Sequence, residues 1–351
     1  MKKFDFDKIF DFNNLYRAYL VSRKSKRTTR EVIEFEMNAG ANLCRMQEEL
    51  KSGQYHISGY YHFTIHDPKV REIYALHYRD RIVQHSLCDN ILAPYFENHL
   101  IYDNAACRKN KGTLFAMNRL NSFLHDHYRK YGTEGYFLKC DVRKFFDSID
   151  HDLLKRKLET VVDDPRTKQM LFDIIDSYEV TAGRGIPMGN QTSQWFALYF
   201  LDPLDRLVKE RLCIKHYTRY MDDCVLISHS KDILNNALAE MRQLMAELHL
   251  EFNAKTQIFP IRHGVEYLGW RFYLTESGAV VRKLKKHSKI RWQHRLRKLK
   301  KELDKGRIDK QKVGESIVSY KNHMSYGNTY RLYCSVMEKY ARTEDEAISI
   351  S

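Results

Sequence analysis

Two aspartates stand side by side at Asp222 and Asp223, inside RYMDDC (219–224) and directly before the apolar run Val225-Leu226-Ile227. Adjacent carboxylates repel, and a chain that needed only a tight turn there would do better with Asn-Gly or Asp-Gly. The pair calls for a cationic partner. A third acid, Asp141, closes another short apolar run, YFLKCDV (136–142). Both runs read as strands, and strands adjacent in one sheet would set Asp141 beside Asp222 and Asp223. An oxygen-only ligand set of this kind suits magnesium, which keeps waters and shares substrate phosphates. Two such ions can clamp the attacking and leaving oxygens of an in-line phosphoryl displacement. Asp147 and Asp150, further along the first stretch, are more simply read as turn or capping residues.

Those acids need a frame. Residues 1–55 read as helical, with Thr28 or Thr29 capping one helix through REVIEFEMNAGANLCRMQEEL (30–50). Residues 56–80 alternate apolar and polar and predict a hairpin turning at Asp67-Pro68. Helices are expected through 81–130, then the strand ending at Asp141, then a helix over HDLLKRKLETVV (151–162). TAGRGIPMGN (181–190) must be a loop, and the helix after it is broken or restarted by Pro203. HYTRYMDDCVLIS (216–228) predicts a strand pair, and KDILNNALAEMRQLMAELHL (231–250) an amphipathic helix. GVEYLGWRFYLTESGAVVR (264–282) predicts a hairpin turning near Glu276–Gly278. RKLKKHSKIRWQHRLRKLKK (282–301) holds eleven Lys or Arg and no acid, and Trp292, Leu296, Leu299 and Leu303 recur at helical spacing. That reads as a helix with one apolar seam and basic faces suited to a polyanion, since merely solubilising helices mix their signs.

Bulk properties agree. The chain has 351 residues and a formal net charge of +14, which points to a polyanionic partner. Its 43% hydrophobic content supports a large core. Seven cysteines without a C-x-x-C pair argue against a zinc ribbon or a disulfide scaffold and for a reducing, cytoplasmic setting. MKKFDFDKIFDF is no signal peptide, and no apolar run reaches the roughly 18 residues of a membrane span.

With these residues in view, the sequence resembles the reverse transcriptases. RYMDDC carries the Y-x-D-D box and KCDVRKFFDSIDH (139–151) the first palm motif. REIYALHYRDRIVQHSL (71–87) resembles the R-x-I…DR-I-V-Q fingers block, and ENHLIYDNAACRKNKGT (97–113) stands in the place of the next finger motif. GIPMGNQTSQWFALYFLDPLD (185–205), LEFNAKT (250–256) and VEYLGWRF (265–272) follow in the family's order. The resemblance implies an α+β, right-handed polymerase fold with fingers, a palm with an antiparallel sheet, and a helical thumb. The expected divisions are an N-terminal helical extension (1–55), fingers (56–135), palm (136–275, with a fingers-side insertion at about 151–190) and thumb (276–351).

The resemblance also assigns roles. Asp141 and Asp222, with the Val142 carbonyl, would bind two Mg²⁺ ions, for which Mn²⁺ could substitute, and Asp223 would support them. Phe146 would pack under the sugar and exclude a 2′-hydroxyl. Lys255 would approach the triphosphate as a proton donor. Arg71 and Arg79 would grip its phosphates, Arg71 being the better candidate and Arg79 having Asp80 or another acid as an alternative partner. Met188, Gly189 and Gln194 would contact nucleotide and template. Tyr220, Met221, Leu268, Gly269, Trp270 and Trp292 would contact primer or template. The partners implied are an RNA template, a DNA or RNA primer and dNTPs.

One departure narrows the expectation. Many of these enzymes carry Gln-Gly and then Ser-Pro in the central loop, where this chain has Met188-Gly189-Asn190-Gln191-Thr192-Ser193-Gln194. That variant resembles the reverse transcriptases of diversity-generating retroelements, which are error-prone at template adenines and work with a small basic accessory protein. In that family the first position is usually Ile, Val or Leu, and Met is a near relative. The alternative is a retron-like or phage-defence reverse transcriptase without programmed mutagenesis. A metal-dependent nuclease would share the acids but would not need the fingers block or the hairpin of 265–272.

Overall fold

The computed structural model describes residues 4–66 and 70–348. Four helices come first: α1 (Asp7–Phe10), α2 (Phe12–Ser22), α3 (Arg30–Glu36) and α4 (Ala39–Ser52). The single helix expected over 30–50 is therefore two. Asn38 leaves the helical region at φ −136°, ψ 43°, and the Asn42 side-chain amide donates to the Phe35 carbonyl that the break frees. Thr29 takes the N-cap position, but its hydroxyl donates back to the Lys26 carbonyl instead of capping.

The first hairpin is β1 (Tyr60–Ile65) and β2 (Arg71–Leu76), antiparallel with Ile65 opposite Arg71. Its expected turn at Asp67-Pro68 lies outside the described residues. Then come α5 (Tyr78–Leu87), a π-helical turn, α6 (Ala93–His99) and α7 (Thr113–Tyr131).

Next come β3 (Tyr136–Asp141), α8 (Phe145–Ser148), α9 (His151–Glu159), α10 (Pro165–Asp176), α11 (Gln191–Phe200) and α12 (Asp202–Arg206). Asp150 caps α9, accepting from the Leu153 amide, and Pro203 sits in the first turn of α12, where a missing N–H costs nothing. Next are β4 (Tyr217–Tyr220), β5 (Asp223–Ser228), α13 (Lys231–Glu247) and β6 (Gln257–Pro260). The sheet order is β4-β5-β3-β6, every pair antiparallel. Strand β6 carries no signal in its own four residues and exists because β3 offers it an edge.

Side chains alternate across a strand, so β3 faces two cores. Leu138 and Cys140 join Leu226 and the α13 residues Leu234 and Met241 in the main core. Phe137 joins Val225, Ile227 and the α7 residues Phe123 and Leu124 in a second core. Asp141 closes the same face as Phe137, at the open end of the sheet.

A three-stranded meander follows: β7 (Val265–Tyr267), β8 (Trp270–Leu274) and β9 (Val280–Leu284). The expected hairpin at 276–278 is there, with a second, tighter turn at Leu268–Gly269 before it. Both residues of that turn have positive φ, +50° and +87°, the type I′ pattern that matches strand twist. The helices α14 (Lys286–Asp304), α15 (Lys310–Met324) and α16 (Tyr330–Ile348) are the last elements among the described residues. The basic run 282–301 is thus the end of β9 plus most of α14, and the expected division at 276 falls inside the β8–β9 hairpin. The antiparallel sheets with flanking helices make an α+β fold.

Candidate active site

The register of β3 against β5 sets Asp141 directly opposite Asp223. Opposed residues of an antiparallel pair share a face with their Cβ atoms about 4.5–5.5 Å apart. Asp222 lies one residue earlier, in the turn Met221–Asp222 that joins Tyr220 to its cross-strand partner Asp223. Burial raises the Asp222 carboxyl above the usual range, and the charge of Asp141 adds to the shift. Asp141 and Asp223 line a cavity of about 860 Å³ whose wall also holds Arg71, Lys255, Leu268 and Gly269.

The segment 252–256 secures Asp141. The Asn253 amide donates to the Asp141 carbonyl at 2.6 Å, and the Asn253 side chain donates to Asp141 Oδ2 at 3.3 Å. Val142 pairs with Phe252 in an isolated bridge. The flanking bonds run from the Asn253 and Arg143 amides to the Asp141 and Glu251 carbonyls, so neither uses the Val142 carbonyl. Lys255 follows in this segment, exposed to the cavity, its amide donating to Asn253 Oδ1 at 3.1 Å.

The cationic partner that the paired aspartates call for is present in the chain itself. Lys139 forms an ion pair with Asp223 Oδ1, and its ammonium sits 5.0 Å from the Tyr267 ring centroid. Burial pushes this ammonium down to about 8, against the pull of Asp141 and Asp222. The signal for Lys139 was legible: it stands two residues before Asp141 and shares its strand face. The set of carboxylates and one free carbonyl, half-exposed and crowded with negative charge, fits a hard divalent cation. Among the described residues no three His, Cys, Asp or Glu groups close into a protein-only metal site. A cation here would complete its shell with water and substrate oxygens.

The other expected residues divide. Phe146 is half-buried on α8, 5.8 Å from the buried Phe145 ring, and its carbonyl accepts from the Ile186 amide at 2.9 Å. That bond draws the loop before Met188 against the first palm motif. Met188 is half-buried and Gly189 exposed, with φ +109°. A Cβ on Gly189 would lie 3.7 Å from Ile73, which shares a face of β2 with Arg71. Gln194 is half-buried on α11, a helix held against α5 by the Thr192 hydroxyl donating to Gln84 Oε1 at 2.9 Å. Tyr220 and Met221 are half-buried at the acidic turn.

Two aromatic residues have other surroundings than expected, and Arg79 takes its alternative, an acidic partner. Trp270 is 0% exposed, its ring 5.4 Å from that of His323 and close against Gly327, so the ring lies in the core and not on the surface. Trp292 is 4% exposed and stacks on Tyr320 at 3.7 Å inside the helical core of α14–α16. Arg79 is held by Glu49, with Asp80 at 3.8 Å, and lines a different cleft from the acids. Sequence reasoning missed one further group, the fully buried pair Arg219–Asp205 behind the acidic turn. Its only signal was an arginine at an inward-facing strand position.

This arrangement is that of a template-directed polymerase palm. The chain matches the family model "Reverse transcriptase (RNA-dependent DNA polymerase)" over residues 66–272, more than half its length, and it belongs to that family. Among solved structures it is similar to telomerase from Candida albicans in complex with a TWJ fragment of telomeric RNA. The TM-score is 0.51 and the identity 12%, over 66% of this chain and 46% of that one. At that identity the likeness speaks for the fold alone, and the chain spans less than half of the telomerase chain. No curated protein matches the sequence.

Proposed function

We propose that this chain makes cDNA on an RNA template, extending a DNA or RNA primer with dNTPs. The carrying observation is Asp141 opposite Asp223, with Asp222 at the adjoining turn, on a cavity that also holds Arg71 and Lys255. Asp141, Asp222 and the Val142 carbonyl would hold two Mg²⁺ ions, with Asp223 in support. Bound there, the ions would neutralise charge on the attacking and leaving oxygens. The primer 3′-hydroxyl attacks the α-phosphorus, a new phosphodiester forms, and the bond to pyrophosphate breaks. Arg71 grips the triphosphate, Lys255 gives a proton to the departing pyrophosphate, and Phe146 excludes a 2′-hydroxyl. The protein's own contribution is alignment and fixed charge. Extension of a primed RNA template with Mg²⁺ tests this: Asp222→Asn with Asp223→Asn should abolish product, and equal product from both proteins would refute it.

The finer reading is a bacterial reverse transcriptase of the diversity-generating kind, cytoplasmic and working with a small basic accessory protein. Met188 and Gln194 support it. An apolar side chain at the first position offers no hydrogen bond to check base-pair geometry. Sequencing cDNA from a defined template should show errors concentrated at adenine. A uniform spectrum points instead to a retron-like or phage-defence enzyme. Among the described residues no helix is long and apolar enough to cross a membrane.

A further inference from the structure

The turn that carries Asp222 is strained. Met221, its first residue, has φ +55°, a left-handed conformation that a side-chain-bearing residue adopts only when its surroundings enforce it. The enforcing contact is visible. Arg219 Nη1 donates to the Met221 carbonyl at 2.8 Å. The rest of the guanidinium is anchored: Nε donates to Asp205 Oδ1 at 2.7 Å, Nη2 to Asp205 Oδ2 at 2.6 Å, and Nη2 also to the Leu198 carbonyl at 3.2 Å. Asp205 in turn accepts from the Tyr217 hydroxyl at 2.6 Å and the Asn104 side-chain amide at 3.2 Å. Both side chains of the ion pair are 0% exposed, so neither touches substrate.

We propose that Arg219, aimed by Asp205, is a positioning residue for the polymerase reaction. It holds the Met221 carbonyl, keeps the turn left-handed, and so sets where the Asp222 carboxylate stands. The geometry favours this over a role in folding alone. A buried guanidinium must satisfy its remaining donors, and the partner taken here is the carbonyl of the turn's one residue with positive φ, so the ion pair and the turn are coupled. The same network joins the turn to the α11–α12 segment, since Leu198 lies on α11 and Asp205 on α12. The acids and the helix that carries Gln194 are thereby referenced to one buried point.

The proposal rests on the polymerase reading, and a double-mutant cycle separates the two. Glycine adopts positive φ without help, so Met221→Gly removes the need for the hold. Arg219→Lys keeps the charge beside Asp205 but cannot span both Asp205 and the Met221 carbonyl. In the otherwise native chain it should lower kcat about 10- to 100-fold, the penalty of a misplaced reacting group, with the KM for dNTP and the affinity for template–primer unchanged. In the Met221→Gly background the same substitution should change kcat by about twofold or less. An equal loss in both backgrounds, or no loss in either, overturns the positioning role. If Arg219→Lys does not fold, Tyr217→Phe replaces it, loosening Asp205 by one hydrogen bond, and the same comparison decides. Absence of cDNA from the native chain would instead overturn the polymerase reading itself.

Discussion

Phe145 and Phe146 are identical neighbours with different surroundings. Phe145 is buried in the main core, while Phe146 is only half-covered and stands five residues after Asp141. Under the polymerase reading, Phe146→Ala opens space where a 2′-hydroxyl would sit. Ribonucleotide incorporation relative to deoxynucleotide should rise about 10- to 100-fold, the range that a changed pocket wall commands. Single-nucleotide extension with competing substrates measures it, and an unchanged ratio would remove Phe146 from the sugar site. Trp270 illustrates the opposite outcome. Its family position suggests contact with primer, yet its ring is enclosed. Trp270→Ala should cost about 3–5 kcal/mol of stability, from the burial forfeited and the cavity left behind, seen as a lower melting temperature. A variant with native stability but weaker primer binding would contradict that placement.

Among the elements, α14 has the most unbalanced charge. Trp292 and Leu296 turn inward to Val336, Tyr320 and Tyr333. Arg295 and Lys298 line a cleft that Trp292, Tyr320 and Glu302 also border. The apolar seam therefore builds the helical bundle, while Arg295 and Lys298 stay exposed. Replacing Arg295 and Lys298 together by Ala should weaken template–primer binding evenly across sequences. On a duplex it should also flatten the plot of log affinity against log salt, by about 0.9 for each phosphate that is no longer neutralised. Fluorescence titration at several salt concentrations reads both, and an unchanged slope would place the nucleic acid elsewhere. The neighbouring meander is tied into this bundle: the Arg282 carbonyl and amide bond to the amide and side-chain oxygen of Asn328.

At the scale of the molecule, the N-terminal helices are part of the main body. Phe4 and Ile9 are fully buried, Phe4 lies 4.8 Å from the Tyr95 ring, and the Ser86 hydroxyl donates to the Ile9 carbonyl at 2.6 Å. The core that seats α5, and through it α11 and the central loop, runs through these residues. Removing residues 1–22 should therefore lower the melting temperature of the fingers and palm together and raise protease sensitivity around α5. A truncated chain with native stability would show that the extension is dispensable to the fold.

Much of the site was legible in the linear chain. Adjacent acids before an apolar run, a third acid closing another, and a glycine-rich loop before a helix are local patterns, and local patterns follow from strand and helix periodicity. From these the sequence by itself picked out the residues proposed to carry the chemistry and, with the order of the motifs, the family. Tertiary structure decided the rest. It set the register that opposes Asp141 and Asp223, placed Lys139 against them, and used an unsignalled strand, β6, to complete the sheet. It also buried Trp270 and Trp292, engaged Arg79 with Glu49, and put Arg219 and Asp205 behind the turn. The reason is physical: periodicity tells which face of an element a residue occupies, but what covers that face comes from chain distant in sequence. The chemistry of an aromatic ring or a guanidinium is the same whether it meets a nucleotide or a buried partner.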